Sequence, residues 1–271
     1  MTDKIKKLGL IAGNRDFPLH VARAAKAAGY AVVAVGLREE TAPELEQEVE
    51  KMHWVTLADV GKVPTLLRDD GIQEVILAGQ VQARRLLDRQ QKMDGLTAHL
   101  MKLVPDRSGD SAMKMGVRIL ESYGFKVLHS GILLKDWIPR AGVLTDRSPT
   151  ESQRKDLILG LKLSRQLSKL HVGQTVVIEL GAVVAVEAIE GTDETIERAG
   201  RYSGGSAVVI KACDPNHDMR FDIPVIGQAT IDRMKQAGID CLGIEAERTL
   251  LFNPPELIAA ANQKGLCIVA L

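Results

Sequence analysis

At 271 residues the chain is long for one domain and comfortable for two, and its 45% hydrophobic content is ample for a core in each. Its 35 Lys+Arg balance 35 Asp+Glu, so no net field selects nucleic acid or an anionic membrane surface. An aromatic content of 3% also argues against base stacking along a single strand, and nucleic acid is discounted as the main partner. No run of about 18 uncharged apolar residues occurs, so a spanning helix is not expected, while a lipid substrate taken from the membrane surface remains open.

Cys213, Cys241 and Cys267 are well separated and lack Cys-x-x-Cys spacing, which fits a reducing cytoplasm better than a zinc site or a redox pair. The apolar run after the basic N-terminal residues is too short for a signal-peptide core. Residues 7–13 read as a strand ending in Gly13-Asn14, and Pro18 opens a helical pattern that Gly29 closes. Tyr30 to Gly36 is apolar throughout, as in a strand buried on both faces of a parallel sheet. A strand at 53–57, a helix from Asp59 to Asp70 and the run Val75–Gly79 continue the alternation. Such βαβ order predicts a parallel sheet whose ligands lie beyond the carboxyl ends of its strands.

Two strand ends carry a glycine and a polar residue, Gly13-Asn14 and Gly79-Gln80. Glycine there lets a ligand approach the backbone, and free N–H groups at the next helix start favour a phosphate. Tight turns alone explain the pairs equally well, and neither is a Gly-x-Gly-x-x-Gly fingerprint, so a nicotinamide cofactor is poorly supported.

Residues 83–121 read as helices interrupted at Gly95 and at 105–109, with Ser108-Gly-Asp110 as a cap. Leu86, Leu87, Met93, Leu96, Leu100, Met101, Leu103, Met113 and Met115 form flexible apolar faces that suit a core more readily than an acyl chain. After a strand at Phe125–Leu128, the Pro-, Gly- and polar-rich stretch 138–150 marks the domain boundary. The expected organisation is a Rossmann-like parallel-sheet domain over residues 1–135, a linker at 136–151 and a second α/β domain at 152–271.

The second half begins with a helix from Ser152 to Leu170, followed by a hairpin of Thr175–Glu179 and Ala182–Ala188. Glu190-Gly-Thr-Asp193 comes next. Thr192 or Asp193 serves either as a helix cap or, with Glu190 and Gly191, as part of a cation and phosphate site. A strand at Ala207–Lys211 leads into Asp214-Pro-Asn-His-Asp218 and then Met219-Arg-Phe-Asp-Ile-Pro224. Alternating Lys211, Asp218, Arg220 and Asp222 suit metal-assisted chemistry on a phosphate ester, although a solvated loop has the same composition. The chain beyond Gly238 reads as scaffold, with a role reserved for the loop Glu245–Arg248. Scattered single histidines and the absence of Gly-x-Ser-x-Gly argue against a histidine-rich metal hydrolase and a serine acyl transferase.

Leu8-Gly-Leu-Ile-Ala-Gly-Asn14 with Pro18, Ala78-Gly-Gln-Val81, Gly109-Asp110, Val186-Glu-Ala-Ile-Glu-Gly-Thr-Asp193 and Arg220-Phe-Asp-Ile-Pro-Val-Ile-Gly227 with Ala229-Thr230 together resemble the LpxI family, the UDP-2,3-diacylglucosamine pyrophosphatases of lipid A biosynthesis. The resemblance implies two α/β domains with the ligand between them, and hydrolysis with Mg²⁺ to UMP and 2,3-diacylglucosamine 1-phosphate (lipid X). It places the family's essential aspartate, in an Arg-x-Asp-Leu-Pro pattern, at Asp222. Ile223 replaces the leucine, and His217 stands where many relatives carry glutamine.

Together, residues and resemblance lead to these expectations. Asp222, Arg220 and Lys211 are catalytic, with Asp222 as metal ligand or general base. Asp222, Asp193, Glu190 and Asp218 hold Mg²⁺, or Mn²⁺ in its place. Gly13, Asn14, Gly79, Gln80, Gly191, Thr192 and Thr230 contact a glycolipid nucleotide substrate, met at the inner face of the cytoplasmic membrane. A nucleotide-dependent oxidoreductase and a non-catalytic nucleotide or glycolipid sensor are the alternatives.

Overall fold

The computed structural model describes residues 6–81, 94–102, 104, 109–221 and 223–271. It resolves into two units, Met1–Leu134 with Asp218–Asp222, and Lys135–His217 with Ile223–Leu271.

The first unit runs β1 (Lys6–Ala12), α1 (Phe17–Ala27), β2 (Tyr30–Leu37), β3 (Lys51–Val55), α2 (Val63–Asp69), β4 (Glu74–Ala78), α3 (Gly95–Met101), α4 (Gly109–Ser122) and β5 (Lys126–Val127). Its five strands form one parallel sheet in the order β3-β2-β1-β4-β5, the Rossmann-like arrangement read from the sequence. Val32 to Leu37 of β2 are all buried, which is why this strand reads as an unbroken apolar run.

A boundary differs from the sequence reading. The helix expected from Asp59 starts instead as a 3-10 segment, Leu57–Lys62, capped by Thr56 and Asp59, and turns α-helical only at Val63. Pro64 lacks the N–H that a continuous helix would donate to Val60. Gly95 opens α3, and the Asp94 carboxylate accepts the Thr97 N–H at 2.7 Å and so caps the helix start, while residues 82–93, which would lie before the expected interruption, are outside the described residues. The expected cap at Ser108 and the apolar residues Leu86, Leu87, Met93 and Leu103 lie outside the described residues. Of the methionine-rich stretch, Met113 packs against the core of this unit, whereas Leu96 is exposed.

The second unit holds β6 (Gly142–Val143), α5 (Glu151–Lys169), β7 (Thr175–Glu179), β8 (Ala182–Val186), α6 (Thr192–Gly200), β9 (Val208–Lys211), β10 (Val225–Ile226), α7 (Gln228–Gln236), β11 (Cys241–Ile244), β12 (Leu250–Leu251), α8 (Pro254–Gln263) and β13 (Cys267–Ala270). Six strands form a sheet in the order β6-β13-β11-β9-β7-β8. Strands β13, β11 and β9 are parallel, and the strands outside them run antiparallel to their neighbours. Alternate residues serve two cores. Val176, Ile178, Val208 and Ile210 meet Leu157 of α5, while Val177 and Val209 meet Ile196, Ile231, Met234 and Leu257 from α6, α7 and α8. Residues 136–151, expected as a linker, belong to this unit. They supply β6, and Leu144 continues its pairing by donating to the Ile268 carbonyl.

The β7–β8 hairpin turns on Leu180 and Gly181, both with positive φ, and buried Asp156 accepts both of their N–H groups at 2.8 Å. At the same end of the hairpin, Glu179 accepts the N–H groups of Gly204 and Ser206 and the Ser206 hydroxyl at 2.7–2.9 Å. The Gly204 N–H, with the Ser206 groups, outweighs partial burial and holds the Glu179 carboxyl below its ordinary value. A depressed carboxylate contributes stability above its unfolded pKa and loses it as pH falls through the folded one. Acid titration of Tm should therefore be shallower for Glu179→Gln than for the parent, by about 1 kcal/mol between neutral pH and the region below the ordinary carboxylate pKa. Parallel Tm curves for the two proteins would refute that contribution.

Candidate functional site

In the first unit, β1 lies between β2 and β4, and both Gly-polar pairs stand at the carboxyl ends of β1 and β4. This is the topological switch point, where open α/β sheets receive ligands. Here the two pairs lock onto each other. Gly13 N–H donates to the Ala78 carbonyl and Asn14 N–H to the Gln80 carbonyl, each at 2.8 Å. A Cβ on Gly13 would fall 2.5 Å from the Gln80 carbonyl oxygen, and one on Gly79, whose φ is +84°, 2.6 Å from that of Asn14. The glycines thus satisfy a backbone-to-backbone approach before any ligand is considered. Asn14 Nδ2 donates to Glu40 at 3.0 Å, and buried Thr41 bonds the Ala12 carbonyl and the Leu37 N–H, tying the loop after β2 to the end of β1.

The segment 218–221 is separated from Lys211 by its unit, although only seven positions divide Lys211 from Asp218 in sequence. Asp218 is neutralised internally: the Arg220 guanidinium donates to both of its carboxylate oxygens, Nε at 2.9 and 3.1 Å and one terminal nitrogen at 2.7 Å. The other terminal nitrogen donates to Glu121 at 2.6 Å. The hydrogen bonds to Asp218, with the charges of Asp218 and Glu121, raise the Arg220 pKa further, so its positive charge is permanent. Phe221 is 4% exposed and belongs to the apolar core of the first unit, packed with the group that contains Val75, Val117, Leu120 and Phe125. Asp222 lies outside the described residues.

In the second unit the structure brings together Lys211 and Thr192. Lys211 Nζ donates to the Thr192 hydroxyl at 2.9 Å, that hydroxyl donates to Glu187 at 3.0 Å, and Thr175 lies 3.2 Å away. Glu187 also accepts the Gln174 N–H. Gly191, with φ +87°, is the N-cap of α6, so neither Thr192 nor Asp193 takes that position; both lie in the first turn. Glu190 accepts from Arg198 at 2.7 Å and from Thr195. Burial, which raises its pKa, is outweighed by its backbone hydrogen bond, Arg198 and Thr195, so the carboxylate is held ionised. Thr230 is buried in the first turn of α7, its N–H bonded to the Gly227 carbonyl. Among the described residues, no three His, Cys, Asp or Glu side chains converge as a metal site.

One centre exceeds what the sequence reading reserved for the loop Glu245–Arg248. Glu245 is 2% exposed at the carboxyl end of β11 and accepts Arg165 Nε at 2.9 Å and a terminal nitrogen of the same guanidinium at 2.5 Å. Its other oxygen takes the Cys213 N–H, with Arg248 3.4 Å away. Arg248 in turn donates to the Asp214 carbonyl, fixing the start of the loop after β9. Burial pushes the Cys213 thiol up to about 11, against the pull of Arg248, so it remains a neutral packing group. The signal was a carboxylate directly after the apolar run Cys241-Leu-Gly-Ile244, where an ionised side chain at a buried strand end needs a cation.

A Rossmann-like parallel-sheet unit and a second α/β unit with a lysine-threonine-glutamate cluster define a two-unit α/β protein. Its residues 7–137 match the LpxI N-terminal domain and residues 140–269 the LpxI C-terminal domain. The chain belongs to the LpxI family. It is 31% identical to the UDP-2,3-diacylglucosamine pyrophosphatase LpxI of Caulobacter vibrioides, over 98% of each protein. Solved structures align far more weakly. The biotin carboxylase domain of the Hydrogenobacter thermophilus 2-oxoglutarate carboxylase gives a TM-score of 0.28 at 12% identity, covering 73% of this chain and 41% of that one. The glycinamide-RNase-transformylase T of Mycobacterium tuberculosis gives 0.25 at 18%, covering 68% and 44%. Scores this low do not define a shared fold.

Proposed function

We propose that the chain hydrolyses the pyrophosphate of UDP-2,3-diacylglucosamine to UMP and 2,3-diacylglucosamine 1-phosphate, with Asp222 as the central carboxylate. The observation that carries this reading is the end-to-end relationship to the Caulobacter pyrophosphatase, which spans both halves of the chain. Water attacks the phosphorus nearer the sugar, its oxygen forms the new P–O bond, and the bond to UMP breaks. UMP leaves as an oxyanion, and the water proton passes to a base. Lys211, whose Nζ donates to the Thr192 hydroxyl near the start of α6, is the cation proposed to meet a phosphoryl oxygen.

Mg²⁺ is the proposed cofactor, and a hard cation supplies charge neutralisation to a pyrophosphate. Glu190 and Asp218 do not fit as its ligands where they stand, since each is already engaged by an arginine. Asp222 is the proposed carboxylate ligand. No described helix is long and apolar enough to cross a membrane. The substrate's acyl chains are the ground for proposing transient contact with the inner membrane face from the cytoplasm. Leu170 and Val172, a few positions before Gln174, and Ile189, just after Glu187 in sequence, are exposed and support such a lipid-facing edge.

The test is incubation of the protein with UDP-2,3-diacylglucosamine and Mg²⁺ in ¹⁸O-water, with mass detection of both products. The expected result is UMP and an ¹⁸O-labelled lipid 1-phosphate, lost on adding EDTA and restored by excess Mg²⁺ or Mn²⁺. Label appearing in UMP would reverse the assigned phosphorus, and absence of both products would reject the activity.

A further inference from the structure

We propose that Glu187 is a positioning residue for Lys211, acting through the Thr192 hydroxyl. This rests on the reading of Lys211 as the cation that meets a phosphoryl oxygen. Three adjacent strands of the second sheet, β9, β7 and β8, set the residues in a row. Thr175 at the start of β7 stands opposite Lys211 at the end of β9, and Glu187, directly after β8, donates its N–H to the Thr175 carbonyl at 2.9 Å. Gly173 packs so closely on the Glu187 main chain that a Cβ there would overlap the Glu187 carbonyl oxygen. Thr192, in the first turn of α6, completes the group.

The hydrogen bonds of this group have one consistent direction. A threonine hydroxyl carries a single proton and can accept twice. Both Glu187 side-chain oxygens are acceptors, one for the Thr192 hydroxyl and the other for the Gln174 N–H, each at 3.0 Å. With its proton committed to Glu187, the Thr192 oxygen accepts from Lys211 Nζ at 2.9 Å and from the Thr175 hydroxyl at 3.2 Å. Thr175 and Thr192 are both buried, where such bonds are stronger than in water. The hydroxyl therefore stands between the ammonium and the carboxylate. A direct lysine–glutamate pair would neutralise the positive charge within the unit, whereas this arrangement takes one of the three ammonium donors and leaves the charge to a ligand. It also changes the part of the Thr192 side chain, expected from the sequence as a substrate contact: its proton is already in use, and its oxygen fixes the place of Lys211.

Glu187→Gln breaks that direction. The amide oxygen can meet only one of the two donors, and the amide NH2 group faces the other. Toward Gln174 it sets donor against donor. Toward Thr192 it becomes the donor, and the Thr192 proton must then compete with Lys211 or Thr175. Lys211 loses its fixed place in either case, and a displacement on the order of 1 Å at a reacting group costs up to about 100-fold in rate. The expected fall in kcat is about 10- to 100-fold, with KM within about threefold. Thr192→Val keeps the shape of the side chain without the hydroxyl and is expected to lower kcat similarly, and Thr192→Ser, which restores the hydroxyl, to recover most of that loss.

The experiment measures kcat, KM and Tm with UDP-2,3-diacylglucosamine and Mg²⁺ in a double-mutant cycle of Glu187→Gln and Lys211→Met, alongside Thr192→Val and Thr192→Ser. A residue that acts through Lys211 lowers kcat in the parent and has no further effect once Lys211→Met is in place. That result supports positioning. A full additional loss in the Lys211→Met background marks a merely structural role and overturns it, as does parental kcat in Glu187→Gln, and both leave the catalytic reading of Lys211 standing. If Glu187→Gln does not fold, Thr192→Val takes its place in the cycle and decides by the same criterion. Parental kcat in Lys211→Met overturns the reading of Lys211 and the positioning role with it, and a parent that releases no UMP overturns the activity on which both rest.

Discussion

Asp222→Asn is expected to reduce kcat by about 1,000-fold while leaving substrate affinity within a few-fold of the parent. Asparagine keeps the size and one acceptor of aspartate, and it loses the charge and the ability to take a proton. Either proposed role fails on that change, whether the carboxylate holds a divalent cation or activates water. The comparison that isolates the position is Asp218→Asn. Asp218 already spends its charge on Arg220 in a partly exposed pair, so its substitution removes an anchor worth on the order of 1 kcal/mol and should cost far less in rate. Single-turnover kinetics with equilibrium binding of the substrate separate the steps. Near-normal hydrolysis by Asp222→Asn, or equal losses for the two variants, would sink the assignment to Asp222. The pH profile divides its roles: loss of the acid limb in the variant marks a base, and a weakened Mg²⁺ response marks a ligand.

Much of this architecture is readable from period and punctuation. Tyr30 to Leu37 is apolar at every position because both faces of β2 are covered, and Thr150 with Gln153 announces α5 by a capping box. The two glycines at the ends of β1 and β4 mark the switch point without any structure. What they do there was not readable, since a glycine that admits a ligand and one that admits another backbone have the same sequence signature. That the segment 218–221 belongs to the other unit from Lys211 was likewise hidden. Lys211, Asp218 and Arg220 look like one constellation in a line of text, yet they divide between units. The sequence did hold a trace of this in Phe221, one of four phenylalanines, set among charged residues where a solvated loop has no use for it. Pairings of Glu190 with Arg198, and of Glu245 with Arg165, depend on which helix face meets which strand end. No local spacing encodes the second of these, because the partners lie 80 positions apart.

The second large effect expected is on stability, from Gly79→Ala. Alanine at φ +84° is strained by about 1–2 kcal/mol whatever surrounds it. Here its Cβ would also stand 2.6 Å from the Asn14 carbonyl oxygen, and that obstacle is main chain, which cannot rotate away. Relief requires parting the Gly13-Asn14 and Gly79-Gln80 strand ends, with loss of the hydrogen bonds from Gly13 to Ala78 and from Asn14 to Gln80. Strain and weakened bonds together predict a loss of about 2–4 kcal/mol, read as a lower denaturation midpoint at unchanged slope. Gly13→Ala meets the Gln80 carbonyl at 2.5 Å without the same φ penalty, and should therefore cost less than Gly79→Ala. Because each variant forces the same two strand ends apart, the double variant should lose less than the sum of the singles. If the glycines serve a ligand instead, both variants will keep their midpoints and lose substrate affinity. A full sum in the double variant would mean that the two strand ends yield independently, against the interlocked arrangement of their backbones.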